Sequence, residues 1–432
     1  MYRLPTDVQL EITDKCNLRC RHCYHFDTDQ MPVSKDLPDE TIVALAKKLV
    51  DARVYSLVVT GGEPFLRPNV LLDIVRMAKE RGLFVSVNTN LIHATPELLS
   101  ALRQLGLNSF LASCPSSDPA VYKYITRCGN YETFRTKLAL LMEYEISCLV
   151  NMVVTPENRE QIRSTATDLA QLGVKRFAAT PASLNVEYPD PKTLLTNAQI
   201  LTLLEDLDWC AENLGVEVDV LEALPKCLLP AWAWEKKRPF TRRSCQAGRM
   251  SASVSNTGDV RPCSHNPNTY GNLFSESLES IWDRMSEYRN SVIPKSCHSC
   301  PAVASCNGSC RTNALALTGS IAEMDRLMVG HISLPKAAQA PLTLTAEAVV
   351  SFCGNLRWRK EIADEFSMTT KTNHRNLLIV NHETLEFVQW LERSLPMTVG
   401  ELSPDCADTE ATQAFNRIME TLVRKEFISV GY

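Results

Sequence analysis

The 432-residue chain has no apolar run of the roughly 18 residues that a membrane helix needs. It has no basic excess either: 45 Lys and Arg stand against 50 Asp and Glu, a formal net charge of −5. That balance argues against a general nucleic-acid binder. The opening residues, MYRLPTDVQL, lack the basic-then-apolar order of a signal peptide. These absences lead us to expect a cytoplasmic protein with neither membrane nor nucleic acid among its partners. What the chain has in excess is cysteine, sixteen in all. In a reducing compartment that number points to metal or cluster ligation instead of disulfides. The length allows two or three domains.

Cys16, Cys20 and Cys23 form a C-x3-C-x2-C triplet. Three thiolates this close can ligate three irons of one [4Fe–4S] cube and leave the fourth iron open to bind a small molecule. A structural zinc site is the alternative, but zinc usually takes four ligands, often as two spaced pairs. Residues 8–13 read as a strand, so the cysteine loop follows a strand end, where parallel α/β sheets place their chemistry. From there to about residue 182, strand-like segments (8–13, 55–60, 84–89, 109–112, 147–154, 176–180) alternate with helix-like ones (40–52, 69–81, 96–105, 131–144, 158–172). This alternation implies βαβ units and a parallel sheet. A long helical stretch over 197–214 follows.

On the triplet, its place after a strand, and the Gly61-Gly62-Glu63-Pro64 segment after the second strand, the chain resembles the radical S-adenosylmethionine (SAM) enzymes. The resemblance implies a partial (β/α)6 TIM-like barrel. It implies an open iron that chelates SAM, and cleavage of SAM by one electron to a 5′-deoxyadenosyl radical. Site residues follow from it one by one. Gly61, Gly62, Glu63 and Pro64 would hold the SAM amino group, the glycines letting backbone approach the ligand. His22 would flank the adenine. Asn88 and Asn90 end the third strand at the SAM pocket, and Ser113 ends the fourth near the ribose or the carboxylate. Cys114 and Pro115 follow Ser113 where relatives usually have leucine and aspartate. Arg127 would pair with the SAM carboxylate, against the reading of a surface charge. Asn151 would reach the ribose.

A second cysteine set follows a Trp/Pro-rich linker: Cys245-x12-Gly258-x4-Cys263, then Cys297-x2-Cys300-x5-Cys306-x3-Cys310. With Gly271-Asn272-Leu273 and Ile281-Trp282 between the halves, it resembles the SPASM extension of peptide-modifying radical SAM enzymes; a zinc ribbon is the alternative. The resemblance implies two auxiliary [4Fe–4S] clusters, three clusters in all. Cys245, Cys263 and Cys310 would serve the first, and Cys297, Cys300 and Cys306 the second. Met328 stands where relatives carry a last cysteine, leaving Asp325 or Cys353 as fourth ligand of the second cluster. Cys227, eighteen residues before Cys245, is the candidate for the first; the alternative is that this cluster is open and able to bind substrate directly. Cys114, Cys128, Cys148, Cys210 and Cys406 lie outside these spacings and read as small buried hydrophobes.

Residues 340–432 read as strand, strand, helix, helix, strand. They resemble in pattern the PqqD-like module, a small winged helix-turn-helix that docks a precursor peptide's leader as an added strand; a plain capping domain is one alternative, and a DNA-binding winged helix, which the lack of basic charge disfavours, another. The expected division is therefore 1–215 for the barrel, 216–335 for the linker and cluster domain, and 336–432 for an α+β winged-helix-like module.

The family resemblance, to peptide maturases of the splicease, thioether-forming and PqqE-like kinds, implies oxidative modification of a ribosomal precursor peptide. Implied partners are a flavodoxin- or ferredoxin-type electron donor and a separate leader-recognition protein. Tetrapyrrole side-chain decarboxylation is an alternative, because haem-pathway relatives share the pattern of Cys245-Gln246-Ala247-Gly248-Arg249. Sulfatase maturation is disfavoured, since Ser264 follows Cys263 where an aspartate is expected. A non-catalytic electron carrier is the alternative of another class. No catalytic base is singled out among Tyr24, Tyr122, Glu187 and Cys353.

Overall fold

The computed structural model describes residues 2–24, 34–333, 345–370, 376–403 and 409–431. They form two compact units: residues 8–335, and residues 1–7 together with 336–432. The expected boundary at 215 does not separate units, and residues 1–7 group with the C-terminal end and not with the barrel.

The first unit alternates strands and helices: β1 (Asp7–Glu11), α1 (Asp39–Asp51), β2 (Ser56–Thr60), α2 (Pro68–Glu80), β3 (Phe84–Thr89), α3 (Pro96–Gln104), β4 (Ser109–Ser113), α4 (Pro119–Thr126), α5 (Tyr131–Glu143), β5 (Ser147–Val154), α6 (Ile162–Gln171), β6 (Arg176–Pro181), α7 (Asn197–Leu214) and β7 (Glu217–Asp219). Strands β1 to β7 lie side by side in chain order, and each neighbouring pair from β2 to β7 is parallel. This is the parallel sheet that the βαβ rhythm implied and the partial barrel that the family resemblance implied. Local chemistry sets the helix starts. Thr95 caps α3 by accepting from Leu98 N–H, with Pro96 at the first helical position. Thr196 and Gln199 form a capping box on α7, and left-handed Gly215 ends it. Along β3, Val85, Val87 and Thr89 are buried, whereas Phe84, Ser86 and Asn88 are half-buried on the opposite face.

Three features go beyond the sequence reading. The eight-residue α4 was not expected; Asp118 caps it, and Pro119 supplies its fixed φ. β7 adds a seventh strand, parallel to β6. Beyond β1, the antiparallel strands β8 (Ser251–Val254), β9 (Asp259–Arg261) and β10 (Gly271–Asn272) extend the same sheet to ten strands. The cluster segment is thus joined to the barrel through β1, the strand that launches the cysteine loop.

In the second unit, β11 (Val349–Phe352), β15 (Met397–Thr398) and β16 (Ile428–Gly431) form one antiparallel sheet. β12 (Arg357–Lys360), β13 (Phe366–Thr369) and β14 (Leu378–Val380) form another. β12 and β13 form a hairpin turned by Ala363 and Asp364 at positive φ, so the unit has more strands than the expected order of strand, strand, helix, helix, strand. Helices His382–Ser394 and Thr409–Arg424 complete the unit. Its core gathers Val350, Met368, Val388, Leu391, Met419 and Phe427.

Candidate active site

The cysteine loop leaves β1 and is gripped from two sides. On one side Gly62 N–H donates to Thr13 O and Glu63 N–H to Lys15 O, both at 2.8 Å. A Cβ on Gly61 would stand 2.4 Å from Thr13 O, and one on Gly62 2.1 Å from Lys15 O. Gly61 also sits at φ 142°. The close approach that demands these glycines is therefore to the cysteine loop's own backbone, where the sequence reading placed the ligand. Glu63 is buried and its carboxylate meets protein donors: Phe65 N–H at 3.0 Å, the Thr89 hydroxyl at 2.6 Å and Asn90 N–H at 2.7 Å. Burial lifts its pKa to about 7 against those hydrogen bonds. Glu63 thus clamps the ends of β2 and β3 together, and Pro64 starts a short 3-10 turn behind it. Asn90 closes this side: its Nδ2 donates to Asn17 Oδ1 at 2.8 Å and lies 3.9 Å from Cys16 Sγ.

On the other side, Arg19 N–H donates to Thr126 O at 3.2 Å and Arg21 N–H to Ile125 O at 2.9 Å. The end of α4 therefore lies along the loop, with Arg127 as its C-cap at φ 64°. Cys128, expected to be buried, is exposed, and its thiol donates to Asn17 O at 3.4 Å beside the triplet. Cys114, Cys148 and Cys210 are buried as expected; Cys406 lies outside the described residues.

A cavity of about 300 Å³ opens here, lined by His22, Cys23, Arg127, Ser183, Asn185 and Tyr188 among others. Burial drops the His22 pKa to about 4, so the ring is neutral at pH 7. Of the expected SAM-contacting residues, His22 and Arg127 line this cavity. Gly61 to Pro64 lie against the cysteine loop. Asn88, Ser113 and Asn151 share the inner face of β3 to β5, Ser113 directly opposite Asn151. Asn151 Oδ1 accepts from the Thr180 hydroxyl at 2.7 Å.

The donor chemistry fits an iron–sulfur cube. Burial pushes Cys16 up to about 12 and Cys20 well above the ordinary thiol value, and each neighbouring thiol adds to the effect. Thiolates gathered this way need a bound cation, which a cluster supplies. Among the described residues, no three Cys, His, Asp or Glu side chains form a single-ion site; thiols on a cube ligate separate irons.

Cys245, Cys263 and Cys310 form a second set. Burial raises all three; Cys263 then acts on Cys245, and Glu222 followed by Cys245 on Cys310. Glu222, just beyond β7, accepts from the Ser183 hydroxyl at 2.8 Å and hydrogen-bonds Cys310. Burial lifts its pKa to about 7. The sequence reading missed it, since Glu222 has no spacing relation to the cysteine motif. Cys297, Cys300 and Cys306 form a third set, in which burial raises Cys297 and its two partners add to the effect. Cys227, expected at the second set, accepts from Val329 N–H on its Sγ at 3.4 Å. Asp325 instead turns its carboxylate onto Leu327 N–H at 2.8 Å. Cys353 belongs to the other unit, where its N–H donates to Phe427 O.

The first two sets are coupled structurally. Tyr24 stacks on His265 with ring centroids 3.8 Å apart and hydrogen-bonds Ser264. Arg261 forms a 2.5 Å ion pair with buried Glu11 on β1. Asn256 reaches Asp36 at 3.1 Å, and Asp36 takes the Thr13 hydroxyl at 2.6 Å. Of the four candidate bases, Tyr24 alone stands at this junction. Tyr122 is enclosed by Tyr131 and Phe134, and Glu187 is exposed.

The sequence pattern of the Radical SAM superfamily matches residues 10–169, and that of SPASM, an iron–sulfur cluster-binding domain, matches residues 245–301. The chain belongs to the radical SAM enzymes and carries a SPASM domain; it binds SAM and iron–sulfur clusters. It is 26% identical to the AdoMet-dependent heme synthase of Methanosarcina barkeri over 359 residues, 75% of this chain and 96% of that one. It is 27% identical over 287 residues to the antilisterial bacteriocin subtilosin biosynthesis protein AlbA of Bacillus subtilis, 65% of this chain but 60% of that one. Among solved structures, Streptococcus suis SuiB bound to precursor peptide SuiA superposes with a TM-score of 0.61 at 17% identity, over 75% of this chain and 76% of SuiB.

Proposed function

We propose that this enzyme oxidatively modifies a ribosomally made precursor peptide, using SAM and three [4Fe–4S] clusters. The observation that carries the reading is the junction of the cysteine loop with the second thiol set through Tyr24 and His265. Turning a substrate radical into a new bond or double bond releases an electron, and a cluster close to the reaction cavity can accept it. AlbA and SuiB, a bacteriocin biosynthesis protein and a protein solved with its precursor peptide, support a peptide substrate. When bound, the cluster at the cysteine loop supplies the electron that cleaves SAM to methionine and a 5′-deoxyadenosyl radical.

The chain's own residues bind and orient. Arg127 presents a guanidinium to a carboxylate in the cavity. Neutral His22 offers a flat face without a competing charge. The Glu63 clamp holds the residue 61–63 backbone at the strand end. In the C-terminal unit, β14 pairs on one side only among the described residues and exposes Ile379. A leader peptide adds there as a fourth strand, and a flavodoxin- or ferredoxin-type protein delivers electrons.

The test is to incubate anaerobically reconstituted, reduced enzyme with SAM and the short peptide encoded beside its gene. A peptide mass change coupled to 5′-deoxyadenosine release is the expected result, and its size names the reaction. The heme synthase match, which spans 96% of that relative, favours tetrapyrrole decarboxylation as the second reading. Loss of carbon dioxide from a porphyrin substrate with no change in the peptide would establish it instead.

A further inference from the structure

We infer that Cys227 is the fourth thiolate of the second auxiliary cluster, completing the set of Cys297, Cys300 and Cys306 from outside the SPASM motif. The inference rests on the presence of that domain and is independent of the substrate. The motif's own last position is Met328, and its Sδ lies 3.9 Å from Cys297 Sγ. A thioether is a poor substitute for a thiolate on iron, because it carries no charge. The next residue, Val329, donates its N–H to Cys227 Sγ at 3.4 Å. Two residues adjacent in the chain therefore touch Cys297 on one side and Cys227 on the other. Cys300 lies against the same segment, with its Sγ 3.9 Å from Ile332 O.

Two local devices hold this arrangement. Asp325 makes a tight turn, taking Leu327 N–H on its carboxylate and Met328 N–H on its carbonyl, and so presents residues 328 and 329 to the thiols. Cys227 lies in a short 3-10 turn, Lys226–Leu228, anchored by its lysine. Lys226 is buried, its ammonium donates to Thr241 O, and it lies 5.2 Å from the centre of the Trp234 ring. A cube with four thiolates has no open iron, so it passes electrons and binds no substrate. The first auxiliary cluster, with three thiols and Glu222, is then the one with a non-thiolate position.

The experiment is performed on the anaerobically reconstituted full-length enzyme. Thiol alkylation followed by peptide mass spectrometry compares the loaded protein with protein stripped of its clusters. Cys227 should be protected together with Cys297, Cys300 and Cys306, and become reactive with them on stripping. Alkylation of Cys227 in loaded protein while those three stay protected overturns the inference. In parallel, Cys227→Ala should lose or convert one cluster by EPR and iron content, down by as much as about four irons per chain. The SAM-dependent change in the EPR signal of the cluster at Cys16, Cys20 and Cys23 should persist. Cys227→Ala/Met328→Cys should restore the lost signal, because it returns a thiolate to the motif's own position. Unchanged spectra in Cys227→Ala, or loss of the cluster in Met328→Leu but not in Cys227→Ala, overturn the inference. If Cys227→Ala does not fold, the alkylation comparison on the wild-type protein decides.

Discussion

Glu63 is the residue on which the SAM-side architecture turns. Its two oxygens hold three donors from two places in the chain, Phe65 and the adjacent Thr89 and Asn90. Removing the carboxylate leaves two backbone N–H groups buried without a partner, at about 1–3 kcal/mol each. Glu63→Ala is therefore expected to cost about 3 kcal/mol in denaturant unfolding and to weaken SAM binding. The charge has its own signature. Burial raises this carboxyl from 4.5 to about 7, so the folded state holds the proton more tightly than the unfolded chain. The stabilising contribution is thus full below pH 4.5 and lost as the pH rises toward 7, by roughly 3 kcal/mol. Glu63→Gln should flatten that loss: the stability gap between variant and wild type should shift in the variant's favour from pH 5 to pH 7.5. A gap independent of pH would show that the carboxylate is already ionised in the fold at pH 5.

At the scale of elements, the GGEP segment and the cysteine loop behave as one unit stitched by backbone. Gly62 is the tightest point, since a Cβ there would lie 2.1 Å from Lys15 O. Gly62→Ala must push the loop away from β2 and break the Gly62–Thr13 and Glu63–Lys15 hydrogen bonds. Iron at the SAM-binding site should fall and 5′-deoxyadenosine formation should be lost, while the auxiliary signals in EPR remain. The elements show why some of this was legible in sequence and some was not. The βαβ rhythm predicts strands within a residue or two, because burial on one face writes a period into the chain. The helix α4 escaped, because eight residues with two tyrosines carry too short a period to register. Yet α4 brings Arg127 and Cys128 to the loop.

At the scale of the molecule, the first residues of the chain are built into its last domain. Arg359 donates to Leu4 O at 2.9 Å and Pro5 O at 3.1 Å, and Glu361 accepts from Arg3 N–H at 2.6 Å. The Arg359–Glu361 pair, at 2.8 Å, is buried. Breaking such a pair leaves an uncompensated charge and costs about 3–5 kcal/mol. Arg359→Leu should lower the unfolding midpoint of the C-terminal unit, and Arg359→Leu/Glu361→Leu should recover part of the loss. A peptide-addition role for β14 is tested separately. Ile379→Lys should weaken binding of the precursor's leader tenfold or more, measured by fluorescence anisotropy, and leave SAM cleavage without peptide unchanged.

The sequence by itself determined the class of chemistry, since three thiols at C-x3-C-x2-C and six more in SPASM spacing are local patterns that need no fold to be read. It also determined the parallel α/β alternation, through the periodicity that burial imposes, while the barrel came from the family resemblance. The tertiary structure alone decided which distant groups join those patterns. Glu222 meets Cys310 across eighty-eight residues, and Cys227 meets Val329 across 102. Contacts of that kind come from the packing of separate segments, and no spacing along the chain records them.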